Sequence, residues 1–373
     1  MITVRCLACV VASLTASALG VTIDYTTIGN PGNAPNTNGW GSVSAGYRLA
    51  TYETANRQYV EFLNRIDSAG TNPNGIYSAQ MGGDALGGIT FNSGASSGSK
   101  YSVKAGTNPN NVPYGNAPVV FATWFSAARF VNWLSNGQSA STASMENGTY
   151  TLNNQTSGAI PPRNQGSGVQ IALPSRDEWY KAAYYEPVSA HYLTLRGTNT
   201  ITQTTLMYAA NFGGTATPTF GPIAVGSYAF STTPYGLHDM LGNVIEFTET
   251  PGTIDFDTGR PQVFSGSWAT PVAEIGLWNV NSLPIFRGAT TSTGEIGFRV
   301  AEVQAVPEPA GLLLGGVGAA VAVVVARRVR RGITSLPLLA RRVFSAAFRC
   351  VHEGSLASHG AGRSWRSKPT SAI

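Results

Sequence analysis

The residues that could do chemistry in this 373-residue chain are few and unevenly placed. Its three cysteines are Cys6, Cys9 and Cys350, so the span from Val21 to Arg349 carries no thiol. That excludes a disulfide, a cysteine zinc cluster and a thiol nucleophile from the body of the protein. The body has two histidines, His191 and His238, and neither a H-E-x-x-H zinc motif nor a G-x-x-x-x-G-K-[ST] phosphate loop. Gly94-Ala95-Ser96-Ser97-Gly98 fits the G-x-S-x-G pattern of a hydrolase nucleophile. It lies in a Ser/Gly-rich stretch without the strand–turn–helix setting which that chemistry needs, so it is set aside. Gly315-Gly316-Val317-Gly318 falls inside an apolar run and is no phosphate cradle.

The charges are as uneven as the thiols. Asp, Glu, Lys and Arg make up 12% of the chain, about half the share usual in soluble domains. The formal net charge is +5, yet residues 327–373 hold ten Arg and Lys against the single acid Glu353. Residues 1–326 carry 14 basic and 18 acidic side chains and are therefore mildly acidic. A body of that sign has nothing with which to neutralise phosphates, and nucleic acid is excluded as its partner. The 43% of hydrophobic residues is enough for a core, while 43 Gly and 21 Pro exclude a body dominated by long helices.

Both ends read as addresses. Arg5, the apolar run Cys6–Leu14 and the small residues Ala16-Ser17-Ala18 follow the order of a secretory signal over residues 1–20. That order favours a signal over a buried N-terminal strand or helix. Too little apolar sequence precedes Cys9 for a lipoprotein. Ala310–Ala326 is uncharged over 17 residues, the short limit for a transmembrane helix, and Arg327, Arg328, Arg330 and Arg331 follow at once. An anchor at 310–326 with those arginines on the cytoplasmic side leaves the body outside the cytoplasm. Pro307-Glu308-Pro309, the apolar run and the arginine cluster together resemble the PEP-CTERM sorting signal (residues 306–331) of exported bacterial proteins. That resemblance implies recognition by an exosortase and processing at the cell envelope, often beside exopolysaccharide production. The chain departs from that family by running on beyond the arginines. Its basic tail, 332–373, reads either as an amphipathic helix on the inner leaflet or as a disordered extension.

Between these ends lie the elements that must position any site. Residues 21–39 read as a strand with loops. Thr51–Ile66 has Ala55, Tyr59, Phe62, Leu63 and Ile66 on one helical face, with Thr54 as its cap. Phe125–Leu134 reads as a second helix, capped by Ser126 or entered through Thr123. Ser175 with Glu178 three residues on forms a capping box opening a third helix that runs to about Tyr185. Residues 67–117 and 135–168 are loop-rich, and short strands and turns follow residue 186.

Six blocks occur in the order found in one family. They are Glu53-Thr54 with Tyr59 and Phe62; Trp124, Ala127 and Trp133; Leu173-Pro174 with Glu178-Trp179 and Ala182-Ala183; Tyr235–Phe247; Ser265-Gly266-Ser267-Trp268; and Ile296-Gly297-Phe298-Arg299-Val300. Over residues 40–302 the chain thus resembles the sulfatase-modifying factors, whose founding members are formylglycine-generating enzymes. The resemblance implies an α+β, C-type-lectin-like fold with little regular secondary structure, here followed by the C-terminal transmembrane helix. Trp133, Trp179, Trp268 and Phe298 are then large apolar groups for its core, and Gly236 and Gly242 permit tight turns around Asp239 and Asn243.

The family's oxygenases bind copper through two cysteines, and soft thiolates suit Cu(I). Here those positions fall on Thr270 and Ile275, so neither copper binding nor formylglycine formation is expected. The resemblance also implies calcium ligands at Asn243, Val244 and Glu246, and the start of a second calcium site at Asn211 and Phe212. For Glu246 two readings stay open: a calcium ligand, or a hydrogen-bonded turn in which it pairs with an arginine. His238 stands where the family has a tyrosine and reads as structural.

The function expected is that of a non-catalytic, exported binding module. It would present loops 67–117 and 135–168 to a polysaccharide or surface protein. A matrix component whose specific contact is with the sorting machinery, and an enzyme with cysteine-independent chemistry, are the alternatives.

Overall fold

The computed structural model describes residues 20–166, 168–192, 220–229, 232–253, 255–271 and 285–304. The chain divides into two units, Met1–Pro307 and Glu308–Ile373, and every described residue belongs to the first. The secretory signal, Pro307-Glu308-Pro309, the run 310–326 and the tail lie outside the described residues. Among the described residues no helix is long and apolar enough to cross a membrane.

The helices are α1 (Asn56–Ile66), α2 (Gln80–Gly83), α3 (Trp124–Ser135), α4 (Ala143–Glu146) and α5 (Arg176–Tyr184). The strands are β1 (Tyr25–Ile28), β2 (Tyr47–Ala50), β3 (Ile89–Phe91), β4 (Tyr101–Val103), β5 (Val169–Ala172), β6 (Tyr185–Glu186), β7 (His191–Tyr192), β8 (Ile245–Pro251), β9 (Pro261–Phe264), β10 (Ile285–Phe286), β11 (Ile296–Gly297) and β12 (Ala301–Gln304). Short helices and strands are mixed along the chain, as an α+β reading requires. One sheet has the order β1-β2-β12-β5 and is antiparallel throughout. It joins the first strands of the body to its last. A second has the order β10-β9-β8-β11, and in it β11 runs parallel to β8.

Helix α1 starts later than its apolar spacing predicts. Residues 51–54 are not helical, and the backbone groups of Thr51 and Thr54 are engaged elsewhere. Thr51 N–H donates to Asp24 O at 2.8 Å, and Thr54 N–H to Phe298 O at 2.9 Å. Thr54 is therefore not the cap. The cap position is Ala55, whose N–H is taken by the Gln58 side chain at 2.9 Å. Helix α3 is entered through Thr123. Its hydroxyl accepts from Ser126 N–H at 3.1 Å while Ser126 Oγ accepts from Thr123 N–H at 2.8 Å. Helix α5 carries the expected capping box, with Ser175 N–H on Glu178 Oε2 at 2.7 Å and Glu178 N–H on Ser175 Oγ at 3.2 Å.

Two apolar clusters form the core. In the first, α1 and α3 pack Tyr59, Phe62, Phe130 and Trp133 around Phe298, with ring centroids 5.3–6.3 Å apart. In the second, Trp179 of α5 stacks on Phe264 of β9 at 4.8 Å. Trp268 is not among the buried core residues: it is half-buried, and its Nε1 donates to Gly294 O at 3.1 Å.

Candidate functional site

The turn before β8 bends sharply because four of its residues take left-handed backbone. They are Gly236 (φ 89°), Asp239 (φ 58°), Gly242 (φ 110°) and Asn243 (φ 60°). Two glycines adopt that region freely, and Asp and Asn are the residue types that tolerate it best after glycine. Asp239 Oδ2 accepts from Gly226 N–H at 2.6 Å, and Asn243 Oδ1 accepts from Ile223 N–H at 2.9 Å. The turn thereby brings side chains of the 235–247 block under the segment 51–54.

Four charged side chains meet there, all buried: Glu53, Asp239, Glu246 and Arg299. Arg299 holds Glu246 with two bonds, Nε to Oε2 at 2.7 Å and Nη2 to Oε1 at 2.6 Å. Its other donors go to the carbonyls of Ala50 (3.1 Å), Thr51 (3.4 Å) and His238 (3.1 Å). Trp179 Nε1 adds a third bond to Glu246, at 2.7 Å on Oε2. All five guanidinium N–H groups are thus committed, none to Glu53 or Asp239.

Those two carboxyls receive only neutral donors. Glu53 Oε2 accepts from Asn243 Nδ2 at 3.1 Å, and Asp239 from Gly226. Glu53 Oε1, Asp239 Oδ1 and His238 Nδ1 have no hydrogen-bond partner among the described residues. Burial pushes Glu53 well above the usual carboxylate range, and the neighbouring Asp239 charge pushes it further. Burial likewise raises Asp239. His238 stacks on Tyr52 with centroids 5.1 Å apart. Tyr52 and Glu53 line a narrow cleft with Asp24, Thr54, Arg57, Gln58 and Val225.

Two of the side chains to which the resemblance assigns calcium are engaged with protein groups. Both oxygens of Glu246 accept from Arg299 or Trp179, and the Asn243 amide bonds Ile223 and Glu53. A hard cation needs several oxygens converging on one open position, and these side chains point their lone pairs at protein donors instead. Of the two readings for Glu246, the arginine pair is the one found. Asn211 and Phe212 lie outside the described residues. Among the described residues no group of three or more His, Asp or Glu is placed to hold a metal.

Thr270, where the resemblance puts a family cysteine, lies in a closed hydrogen-bonded turn. Thr270 is buried, and its Oγ1 accepts from Ser267 N–H at 2.8 Å. Ser267 Oγ in turn donates to Glu295 Oε2 at 2.7 Å and accepts from Ala269 N–H at 3.1 Å. Hydroxyls here tie down backbone; they present no soft ligand. Ile275 lies outside the described residues. The Gly94–Gly98 stretch is part of the connection between the antiparallel strands β3 and β4, so no helix follows it as a nucleophile elbow requires.

Glu53 and Arg299 serve in the sequence only as letters of motifs. What marks them is chemistry rather than spacing: they are charged residues inside apolar blocks of a chain with 12% charge.

Comparison with known proteins agrees with this architecture. CarF, a solved structure, matches with a TM-score of 0.50 and 18% identity over 76% of this chain and 99% of its own. At that identity the likeness is one of fold. Variable protein 1 of Treponema denticola (TM-score 0.44, 16% identity, 74% of this chain and 94% of its own) is also similar. So is PvdO from Pseudomonas aeruginosa (TM-score 0.41, 14% identity, 75% and 91%). No curated protein matches the chain. The profile of the sulfatase-modifying factor enzyme 1-like domain matches residues 27–303, from β1 through β12. The chain belongs to that family.

Proposed function

We propose that this protein is an exported module of the sulfatase-modifying factor family that binds a polysaccharide at the cell envelope and does not generate formylglycine. The observation that carries the second half is the turn Ser267–Thr270. A threonine engaged in backbone hydrogen bonds stands at a family cysteine, in a body without any thiol. Without a thiolate there is no soft copper ligand and no sulfur to form a mixed disulfide with a substrate cysteine. What supports export is the sequence order at both ends. Arg5, the run 6–14 and the small residues 16–18 open the chain; Pro307-Glu308-Pro309, the run 310–326 and four arginines follow the body. On this reading an exosortase recognises 306–331, and the body faces outward, anchored or released after processing.

What supports a binding role is the division between a tightly packed core and long polar connections. Segments 67–117 and 135–168 send residues such as Ile76, Met81, Tyr101 and Met145 into the core through the short elements α2, β3, β4 and α4, and between these they expose polar turns such as 92–99. Asn, Ser and Thr in such loops offer the paired donors and acceptors that sugar hydroxyls require. The test has two arms. Purified protein with copper and a sulfatase-derived peptide should yield no aldehyde. On a glycan array it should show specific binding that is lost when the exposed turn 92–99 between β3 and β4 is shortened. Clear aldehyde formation, or no glycan bound above background, refutes the corresponding half.

A further inference from the structure

The polar turn between β3 and β4 sets a fixed aromatic ring beside an ammonium that no acid neutralises. Phe91 ends β3 with 40% of its surface exposed. Its ring is nevertheless held, with the rings of Tyr101 and Tyr77 centred 5.2 and 6.1 Å away. Gly70 leaves room for it, since a Cβ there would lie 2.8 Å from Phe91 Cε2 and 3.2 Å from Lys100 Cγ. Ring edge and lysine stem therefore sit side by side over bare backbone. Lys100 Nζ donates to the carbonyls of Ser93 and Ala95 at 2.7 and 2.6 Å, and it has no carboxylate partner among the described residues. Residues 85–145 contain no Asp or Glu, within a body that is otherwise mildly acidic. The turn itself is tied down: Gly94 N–H donates to Asn92 Oδ1 at 2.9 Å, and Gly98 N–H to Ser68 O at 2.9 Å. Its backbone is thus committed, while the hydroxyls of Ser93, Ser96 and Ser97 are exposed and bond nothing among the described residues.

We propose that Phe91, Lys100 and the serine hydroxyls of the turn 92–99 form a subsite for an acidic sugar residue of the hexuronate class. The proposal rests on the polysaccharide reading above and names the part of the glycan that is recognised. The face of an aromatic ring is apolar and negative, and the C–H face of a pyranose is apolar and weakly positive, so the two stack. The ammonium has one N–H beyond its two carbonyl bonds, and a sugar carboxylate meets it in a charge-assisted bond. The turn hydroxyls exchange hydrogen bonds with those of the sugar. A ring and a turn that are already fixed lose little freedom on binding. A protein partner is the poorer match, because a protein interface is built on a contiguous apolar centre. The turn beside this ring is made of Asn, Ser, Gly and Ala. Gly94–Gly98 thereby gains a role in presenting hydroxyls, with no nucleophile involved.

In the experiment the full-length protein in detergent is titrated onto immobilised oligomers of galacturonate, glucuronate, mannuronate and guluronate, with neutral glucose, galactose and mannose oligomers beside them. Wild type should bind a uronate oligomer roughly tenfold tighter than the neutral ones, and added salt should shrink that preference. Phe91→Leu keeps an apolar group over Gly70 without a ring face and should weaken binding about tenfold. Lys100→Met should abolish the preference for uronate, and Lys100→Arg should keep it. Phe256→Leu removes another exposed ring and should change nothing. Uronate binding unaltered in Phe91→Leu or in Lys100→Met, or a wild type that prefers neutral oligomers, overturns this subsite and leaves the polysaccharide reading standing. Absence of binding to every oligomer overturns both. Should a variant fail to fold, hydroxyl-radical footprinting of wild type decides. Bound uronate must shield Phe91 from oxidation and leave Phe256 unshielded; equal reactivity of Phe91 with and without the oligomer overturns the proposal.

Discussion

Arg299 and Glu246 form a two-bond ion pair with both side chains at 0% exposure, closing β8 onto the strand end that precedes β12. The residues lie 53 positions apart, and the same guanidinium holds the carbonyls of Ala50, Thr51 and His238. One side chain thus ties together β2, the turn before β8 and the C-terminal strand. Removing it strands a buried carboxylate. Arg299→Met should cost about 3–5 kcal/mol in denaturant unfolding. The double variant Arg299→Met/Glu246→Leu should recover part of that loss, since the uncompensated charge goes with it. Additive losses in the two variants would contradict this account.

The cap of α5 offers a smaller and cleaner effect. Ser175 Oγ satisfies the Glu178 N–H, and the Glu178 carboxylate satisfies the Ser175 N–H. Ser175→Ala should lower stability by about 1 kcal/mol. Ser175→Asp should restore most of it, because a carboxylate also accepts at this position and favours the helix N-terminus. Equal midpoints for all three proteins would show that the cap is redundant.

Such local devices are legible in sequence, and the charged centre is not, for a physical reason. A capping box spans three residues, and its hydrogen bonds follow from chain geometry alone. Thr123 and Ser126 are readable in the same way. Glu53 and Asn243 are joined over 190 positions, and only the complete fold makes them neighbours. The start of α1 departs from its apolar spacing for a related reason: helical spacing extends to Thr51, but Asp24, His238, Phe298 and Val119 take the backbone groups of Thr51 and Thr54. Trp268 looks like core by residue type, yet it is half-buried, with its Nε1–H on Gly294 O. The motif order carried the family and its mixed helix-and-sheet architecture, and the direction in which each side chain spends its hydrogen bonds came only with the fold.

Glu249 supplies a pH dependence. Burial raises its pKa from 4.5 to about 7, against the opposing pull of Arg163. Between those values the folded state binds a proton that the unfolded state has released. Stability from this group is therefore fully present below about pH 4.5 and is lost as pH rises to about 7, a span on the order of 3 kcal/mol at most. Glu249→Gln should flatten the stability curve across that window, even though it also weakens the contacts with Arg163 and Tyr150. The check is urea unfolding at several pH values in both proteins. A variant with the wild-type slope would assign the pH dependence elsewhere.

Thr270 allows the missing chemistry to be tested by restoring one atom. In Thr270→Cys the new sulfur would sit in a buried turn, facing the Ser267 N–H that the hydroxyl now satisfies at 2.8 Å. Sulfur is the weaker acceptor, so the turn loses a hydrogen bond. A loss of about 1 kcal/mol is expected. The thiol would remain alone, since the body has no cysteine of its own. One thiolate cannot reproduce a two-cysteine copper site, and a thiol buried in a closed turn is shielded from reagents. Thr270→Cys should therefore bind no stoichiometric copper, react slowly with a thiol reagent until the protein is unfolded, and form no aldehyde on a cysteine-containing sulfatase peptide. Measurable turnover from this single substitution would mean that the remaining machinery is intact and that the family's chemistry was lost through the thiols alone.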